Sequence, residues 1–262
     1  MHKAAEDWDE VSRRSSPSWY LDPLVAEQKR RAHQELVRQW TKGRRVKTAL
    51  KTDLFEEAFG DDHILFDLFP EPYGIIGIDV AQATALQASR RRPAANGRFL
   101  TTDARRLALR ANAADLIISN STLDHFDSRE DFRQALGELA RALEPGGLLI
   151  ITMDNLQNPL YRLLRWLTRF KLGPFLLGYT TSEKQLVVDL EECGLEVVGT
   201  KLILHNPRLI STLLFLALRR LMGGAADGPI RALLGAFAAL DKLPTRRFTA
   251  CFVGASARKA AR

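Results

Sequence analysis

Short apolar runs alternate with helix-like stretches between residues 46 and 153, and this alternation is the feature that most limits the fold. Strand candidates lie at 46–52, 74–80, 98–103, 114–120 and 148–153, separated by helix-like stretches such as 81–91 and 131–143. Pro145, Gly146 and Gly147 are expected to end the second of these helices. The pattern predicts an α/β fold whose parallel sheet has helices on both faces.

The remaining segments suggest additions to this sheet. A leader at 1–45 contains one helix over 22–40, and a domain at 46–256 contains further strands at 195–205 and 248–255. A helix at 182–193 begins with Thr181, Ser182 and Glu183 and ends at Gly194. Helical insertions at about 155–181 and 206–244 are predicted to form a helical cap, and 257–262 to be a frayed basic tail.

Composition excludes several classes of protein. The N-terminus lacks the apolar run of a signal peptide, and the apolar run at 209–218 is about half of a membrane span, so a cytoplasmic protein is expected. Cys193 and Cys251 offer neither a disulfide framework nor metal-ligand spacing, so no metal is expected. The net charge is +7, but basic residues are not interleaved with stacking aromatics, and no nucleic-acid partner is expected.

Polar side chains follow three of the predicted strands. Asp79, Asp103 and Asn120 each stand at or near a carboxyl end. Ligands of doubly wound sheets bind at that edge, near the point where the strand order reverses. The alternative is that each aspartate only caps the helix that follows it.

Four motifs, in this order, resemble class I S-adenosylmethionine-dependent methyltransferases: "GIDV", "TTDA", "LARALEPGGLLIITMDN" and "TTSEKQLVVDLEECGLEVVGTK". The resemblance covers roughly 46–205 and 247–256. It implies a Rossmann-like, doubly wound and mostly parallel seven-stranded sheet, with S-adenosylmethionine as cofactor.

The resemblance also implies roles for individual residues. Asp79 would accept the ribose hydroxyls, and Val80 would pack against the adenine. Asp103 would accept from the adenine amine, and the N–H of Ala104 would meet a ring nitrogen. Asn120 would line the cofactor pocket.

The segment "ALKTDLFEEAFG" departs from the family, which usually has a glycine-rich loop after the first strand. Asp53, Phe55 and Glu57 take the expected glycine positions. Carboxylates there disfavour the pyrophosphate of NAD or FAD, which needs bare N–H groups. These carboxylates remain compatible with S-adenosylmethionine, because Asp53 or Glu56 could accept hydrogen bonds from its ammonium group.

Lys51 or Thr52 could in turn face the carboxylate of that cofactor. The alternative is a catalytically silent domain, for binding or scaffolding, whose loop no longer holds cofactor.

His125 follows the fourth strand and is the candidate base, needed only if the acceptor must lose a proton.

In the first insertion, Arg162, Arg165 and Arg169 share one helical face opposite leucines. The second insertion adds very apolar helices flanked by arginines. These segments predict either a packed cap or a lid that touches a membrane surface or encloses a lipid-like acceptor, and the acceptor is expected to be a small molecule or lipid-like. The sequence leaves the oligomeric state open.

Overall fold

The computed structural model describes residues 22–60, 63–69, 74–91, 97–169 and 178–261. The strands are β1 (Thr48–Thr52), β2 (Gly74–Asp79), β3 (Gly97–Thr101), β4 (Ala114–Asn120), β5 (Leu143–Asp154), β6 (Leu195–Ile203) and β7 (Phe252–Lys259). The helices are α1 (Pro23–Thr41), α2 (Phe55–Phe59), α3 (Ile64–Leu68), α4 (Gln82–Arg91), α5 (Arg129–Ala142), α6 (Pro159–Arg169), α7 (Glu183–Glu192), α8 (Arg208–Met222), α9 (Asp227–Ala238) and α10 (Arg246–Thr249).

The seven strands form one sheet in the order β3-β2-β1-β4-β5-β7-β6. Strands β1 to β5 pair in parallel, whereas β7 is antiparallel to both β5 and β6. The strand order reverses between β1 and β4, so the carboxyl ends of these strands border the crevice where ligands bind in such sheets. The predicted doubly wound, mostly parallel sheet is confirmed.

Two apolar clusters cover the two faces of the sheet. One cluster joins the sheet residues Leu50, Ile117 and Leu149 to Phe132 of α5 and Leu186 of α7. The other joins the alternate residues of the same strands to α1, α3 and α4, through Val37, Ile64, Leu65, Ala85 and Ala88. Successive residues of a strand point to opposite faces, so each central strand is apolar throughout and buried on both faces.

Helix starts follow the capping residues of the sequence. Asp22 accepts a hydrogen bond from the N–H of Leu24 (2.9 Å), with Pro23 at the first helical position. Ser128 accepts from Asp131 N (3.1 Å), and Ser182 accepts from Gln185 N (3.3 Å). The predicted start of α7 at Ser182 is thereby confirmed.

The Pro145–Gly146–Gly147 turn lies inside β5, and the prediction that it ends a helix is wrong. The helix already ends at Ala142, and Leu143 pairs with Ala114 before the register shifts and Leu148 pairs with Leu116. Gly146 has φ of 75°, and a side chain on Gly147 would come within 2.8 Å of the carbonyl oxygen of Glu144. The glycines therefore permit a bulge in a strand that continues on both sides.

Other boundaries also differ from the prediction. The last strand runs over Phe252–Lys259 in place of 248–255, because residues Arg246–Thr249 form a short helix. Residues 257–259, predicted to belong to a frayed tail, are part of this strand, and Lys259 Nζ donates to the carbonyl oxygen of Leu143 (2.7 Å). β3 ends at Thr101, two residues before Asp103.

Helices α6, α8, α9 and α10, with the 3-10 turns between the last three, make up the helical cap, residues 159–169 and 208–249. Phe215 of α8 and Ile230 and Leu234 of α9 pack with Leu24 and Val25 of α1. These ranges are helical, and the division of the chain into leader, domain and insertions stays a prediction. Residues 170–177 and 1–21 lie outside the described residues.

We expect Gly77→Ala and Gly137→Ala to change stability in opposite directions. A Cβ on Gly77 in β2 would lie 2.8 Å from Cδ2 of Leu54 and 3.0 Å from Cδ1 of Phe99, which predicts a loss of about 1–3 kcal/mol. A Cβ on Gly137 in α5 meets no atom within 4 Å, and alanine there should add about 0.5–1 kcal/mol. Urea denaturation measures both. Equal stability of the two variants would contradict the packing of Leu54 over β2.

Candidate functional site

The loop after β1 turns sharply without a glycine. It consists of Asp53 and Leu54, and Asp53 has φ of 61°, in the left-handed region. Aspartate adopts this region more readily than most residues, and here its Oδ1 accepts the N–H of Phe55 (2.8 Å), which closes a local turn. Of the three expected glycine positions, Asp53, Phe55 and Glu57, only Asp53 has a positive φ.

Asp79 at the end of β2 connects this loop to the next one. Its Oδ2 accepts the N–H of Leu54 (2.9 Å) and its Oδ1 accepts the N–H of Ala81 (2.8 Å). Burial and the neighbouring charge of Asp53 raise the pKa of Asp79 to about 7. Each carboxylate oxygen accepts one bond from these amides, so lone pairs are left for a further donor. Asp79 thus holds the edge of the site together and can still accept from a ligand.

Lys51 lies beneath the loop. Its Nζ is 2.7 Å from Oε2 of Glu57 and also donates to the carbonyl oxygen of Asp53, and the two side chains are only 5% and 0% exposed. The ammonium is therefore held inside the protein by the loop and by α2. These contacts make Lys51 a support of the loop, and its contact with the carboxylate of a cofactor stays a prediction.

Hydroxyl groups join the ends of β1 and β4. Thr52 Oγ1 is 3.0 Å from Ser119 Oγ and 2.8 Å from Thr122 Oγ1. Beside them, the buried Nδ2 of Asn120 and Oγ of Ser121 have no hydrogen-bond partner within the described part of the chain. Buried polar atoms are seldom left unpaired, so these two groups indicate where a ligand would bind.

Asp103 lies just after β3 and is paired with Arg105. The guanidinium donates to both carboxylate oxygens (2.7–3.1 Å). Burial opposes ionisation, but the side-chain and backbone hydrogen bonds from Arg105 outweigh it and lower the pKa of Asp103. Ala104 beside it is buried, and Val80 is half-buried at the end of β2. Their contacts with an adenine stay predictions.

Glu56 and His125 stand at the margins of the site. Glu56 accepts from Lys29 Nζ (3.3 Å). Burial opposes its charge, but Lys29 outweighs burial and lowers the pKa of Glu56. His125 is half-buried in a 3-10 turn (Leu123–His125) after β4, next to Asp124. A role for His125 as a base stays a prediction.

A second cluster of polar groups, which sequence reasoning missed, lies past the ends of β4 and β5. Asp124 Oδ2 accepts the N–H of Asp154 (3.0 Å), and Asp154 Oδ1 is 2.6 Å from the guanidinium of Arg208. Arg208 also stacks over Phe252, 4.2 Å from the ring centroid. Asp124, Asp154, Tyr161 and Arg208 form what we call the acidic cluster.

The acidic cluster contains unsatisfied atoms. Asp124 Oδ1 and the hydroxyl of Tyr161 are buried and have no hydrogen-bond partner in the described ranges. Burial and the charge of Asp154 raise the pKa of Asp124 to about 6, and burial with both aspartates raises the pKa of Tyr161. A small cavity of about 20 Å³ adjoins the cluster; its lining residues are Asn158, Leu160, Tyr161, Leu164, Arg208 and Cys251. Among the described residues, no set of three or more histidine, cysteine, aspartate or glutamate side chains is arranged to hold a metal ion.

We expect Lys51→Met to cost about 3–5 kcal/mol of stability, because it removes the ammonium from a carboxylate that is shielded from water. The double variant Lys51→Met/Glu57→Leu should be close to the unmodified protein or more stable, since it removes both charges. Urea denaturation compares the two. If Lys51→Met alone cost under about 1 kcal/mol, the buried pair would not hold the loop as described.

Asp124→Asn should stabilise the protein above pH 7. The raised pKa means that the folded state resists ionisation, so the stability contributed by Asp124 falls as pH rises from about 4 to about 6. Asparagine can still accept from Asp154 N, and we expect a gain of about 1–2 kcal/mol at pH 8 that shrinks toward pH 5. Thermal unfolding across this pH range measures it, with the exposed Asp127→Asn as control. A pH-independent difference would contradict this account.

Comparisons with known proteins agree with the geometry. Residues 58–151 match a family model described as a methyltransferase domain. No curated protein sequence matches the chain. Among solved structures, the cyclase SpnF has a TM-score of 0.62 at 20% identity, and the match covers 99% of this chain and 96% of that one.

Two further structures have similar scores. The N-methyltransferase NodS from Bradyrhizobium japonicum WM9, solved with S-adenosyl-L-homocysteine, has a TM-score of 0.59 at 18% identity, covering 97% of each chain. A putative sarcosine dimethylglycine methyltransferase from Galdieria sulphuraria has a TM-score of 0.61 at 14% identity, covering 98% of each. These likenesses and this strand order show the Rossmann-like fold of methyltransferase domains, and residues 58–151 match the model of such a domain.

Proposed function

We propose that this chain binds S-adenosylmethionine along the carboxyl ends of β1, β2 and β4 and transfers its methyl group to a small-molecule or lipid-like acceptor. The observation that carries the proposal is Asp79, whose half-buried carboxylate is fixed by two backbone N–H groups and keeps lone pairs for the ribose hydroxyls. The cofactor would supply an electrophilic methyl group on its sulfonium.

The residues at this edge fit such a cofactor. Asp53 and Asp79 place two carboxylates together, which suits the ammonium and sulfonium charges and opposes a phosphate. Asn120 Nδ2 and Ser121 Oγ are buried polar atoms in need of partners. Lys51 and Glu57 neutralise one another below the loop, so the site is acidic where the cationic part of the cofactor would lie.

The acceptor is assigned to the acidic cluster. Its free Asp124 Oδ1 and Tyr161 hydroxyl suit a polar group of the acceptor, and the apolar residues of the cap could enclose the remainder. The neighbours named as an N-methyltransferase and as a sarcosine dimethylglycine methyltransferase support a small amine, and the apolar cap supports a lipid-like molecule. Positioning alone can carry a methyl transfer, so a base is not obligatory.

A second candidate function is cofactor binding without methyl transfer. The atypical loop and the cyclase among the similar structures favour it, because one fold can host several reactions. Release of S-adenosylhomocysteine, assayed with small amines, hydroxyl compounds and lipid extracts as acceptors, separates the two. Cofactor binding without any release over the whole panel would favour the second candidate.

We expect Asp79→Asn to weaken S-adenosylmethionine binding roughly ten- to hundredfold, because the charged hydrogen-bond acceptor is lost. Isothermal titration measures the affinity, and Glu191→Gln, an exposed carboxylate on α7, is the control. Undiminished binding by Asp79→Asn would overturn the ribose assignment, and no heat from the unmodified protein would overturn cofactor binding altogether.

Binding should also depend on pH. With a pKa of about 7, Asp79 is increasingly neutral as pH falls from 8 to 6, so affinity should decline over this range. The same titrations with Asp79→Asn isolate the contribution of Asp79, since ionisation of the cofactor is common to both proteins. Parallel pH profiles of the two proteins would contradict this role of the carboxylate.

A further inference from the structure

Helix α8 is apolar on its outer face as well as its inner one. On the inner face, Ser211 is buried, and Phe215 packs against α1 and α9. The outer face carries residues at the helical spacings of three and four: Ile210, Leu213, Leu214, Ala217 and Leu221. Leu213 is 63% exposed and Leu221 is 81% exposed. Apolar side chains in such a row usually mark an interaction surface.

Other elements of the helical cap also expose large apolar side chains. Helix α6 packs against α8 and exposes Leu163 and Trp166, the latter by 56%. Leu243 and Phe248, at the other end of the cap, are also exposed. Exposed leucine, phenylalanine and tryptophan on short helices are typical of proteins that lie in the interface of a bilayer.

The charge of the cap identifies the kind of partner. The cap contains ten basic residues and two acidic ones, Asp227 and Asp241, whereas the whole chain carries a net charge of +7. The rest of the chain is therefore close to neutral. Arg208, Arg219 and Arg231 are paired with carboxylates outside the cap. The other basic residues of the cap still outnumber its two acidic ones, and this excess, beside exposed apolar side chains, is complementary to an anionic lipid surface.

The form of contact follows from helix length. In the described part of the chain, no helix is long and apolar enough to cross a membrane. Helices such as α8, of 15 residues, can instead lie parallel to the surface with the apolar row inserted among the acyl chains.

We propose that the outer face of the helical cap docks on an anionic lipid bilayer. Ile210, Leu213 and Leu221 of α8 enter the apolar layer, and exposed cations such as Arg220 and Lys242 contact lipid phosphates. This docking is independent of the methyl-transfer chemistry, because it uses neither Asp79 nor the acidic cluster.

Flotation of the full chain with vesicles tests the proposal. We expect flotation with vesicles of phosphatidylcholine and phosphatidylglycerol, and little with phosphatidylcholine alone. Leu213→Glu/Leu221→Glu should reduce partitioning at least about tenfold. The control Val188→Glu/Val198→Glu changes two apolar residues on α7 and β6, outside the cap, that are also exposed (42% and 50%), and it should float like the unmodified protein.

The electrostatic contribution is tested separately. Arg220→Gln/Lys242→Gln should lower partitioning by roughly fivefold for each charge, whereas Arg106→Gln/Arg110→Gln, exposed cations outside the cap, should have little effect. Unchanged thermal unfolding of each variant shows that it is folded.

Other outcomes overturn the proposal. These are an absence of flotation, equal flotation with neutral vesicles, or equal loss in the control variants. Light scattering without lipid tests whether a second copy of this chain covers the outer face instead of a bilayer. If the unmodified protein were a dimer and Leu213→Glu/Leu221→Glu a monomer, the proposal would be overturned in favour of that second copy.

Discussion

The two hydrogen bonds that Asp79 accepts from Leu54 and Ala81 connect the loop after β1 to the loop after β2. The first of these bonds exists only because Asp53 adopts a left-handed conformation and turns the chain within two residues. Leu54 then packs over Gly77, and Lys51 and Glu57 close the underside of the loop. A loop that usually depends on glycine is thus built from one strained aspartate, one buried leucine and one buried ion pair.

Much of the sheet could be predicted because the residues of its central strands are apolar on both faces. Periodicity identifies such strands but not their order. The resemblance implied only a mostly parallel sheet of seven strands, and the antiparallel β7 between β5 and β6 was not predicted. The sequence also did not reveal the bulge in β5. Pro145, Gly146 and Gly147 resemble a helix stop, and only the pairing of Leu143 with Ala114 shows that the strand has already begun.

The candidate site could likewise be predicted from the sequence only in part. Asp79 and Asn120 could be predicted because each stands at the end of a recognisable strand. The acidic cluster could not, because its members come from the loop after β4, the end of β5, α6 and α8, more than 80 residues apart at the extremes. Of these members, only Asp154 has a sequence signal that could have placed it at the site, because it ends β5. The predicted strand, however, stopped one residue earlier, at Met153.

Asp124 and Asp154 are costly to keep together. Two buried carboxylates with one guanidinium leave a negative charge that the protein does not balance, and burial raises the pKa of Asp124 accordingly. A group that destabilises the fold and retains an unsatisfied oxygen is more readily explained by ligand binding than by packing. The acidic cluster lies between the carboxyl edge of the sheet and the helical cap, since Asp154 ends β5, Arg208 begins α8 and Tyr161 belongs to α6. An acceptor that reaches the cluster from the outer face of the cap would therefore pass along apolar helices, and a bilayer is a source of molecules suited to that path.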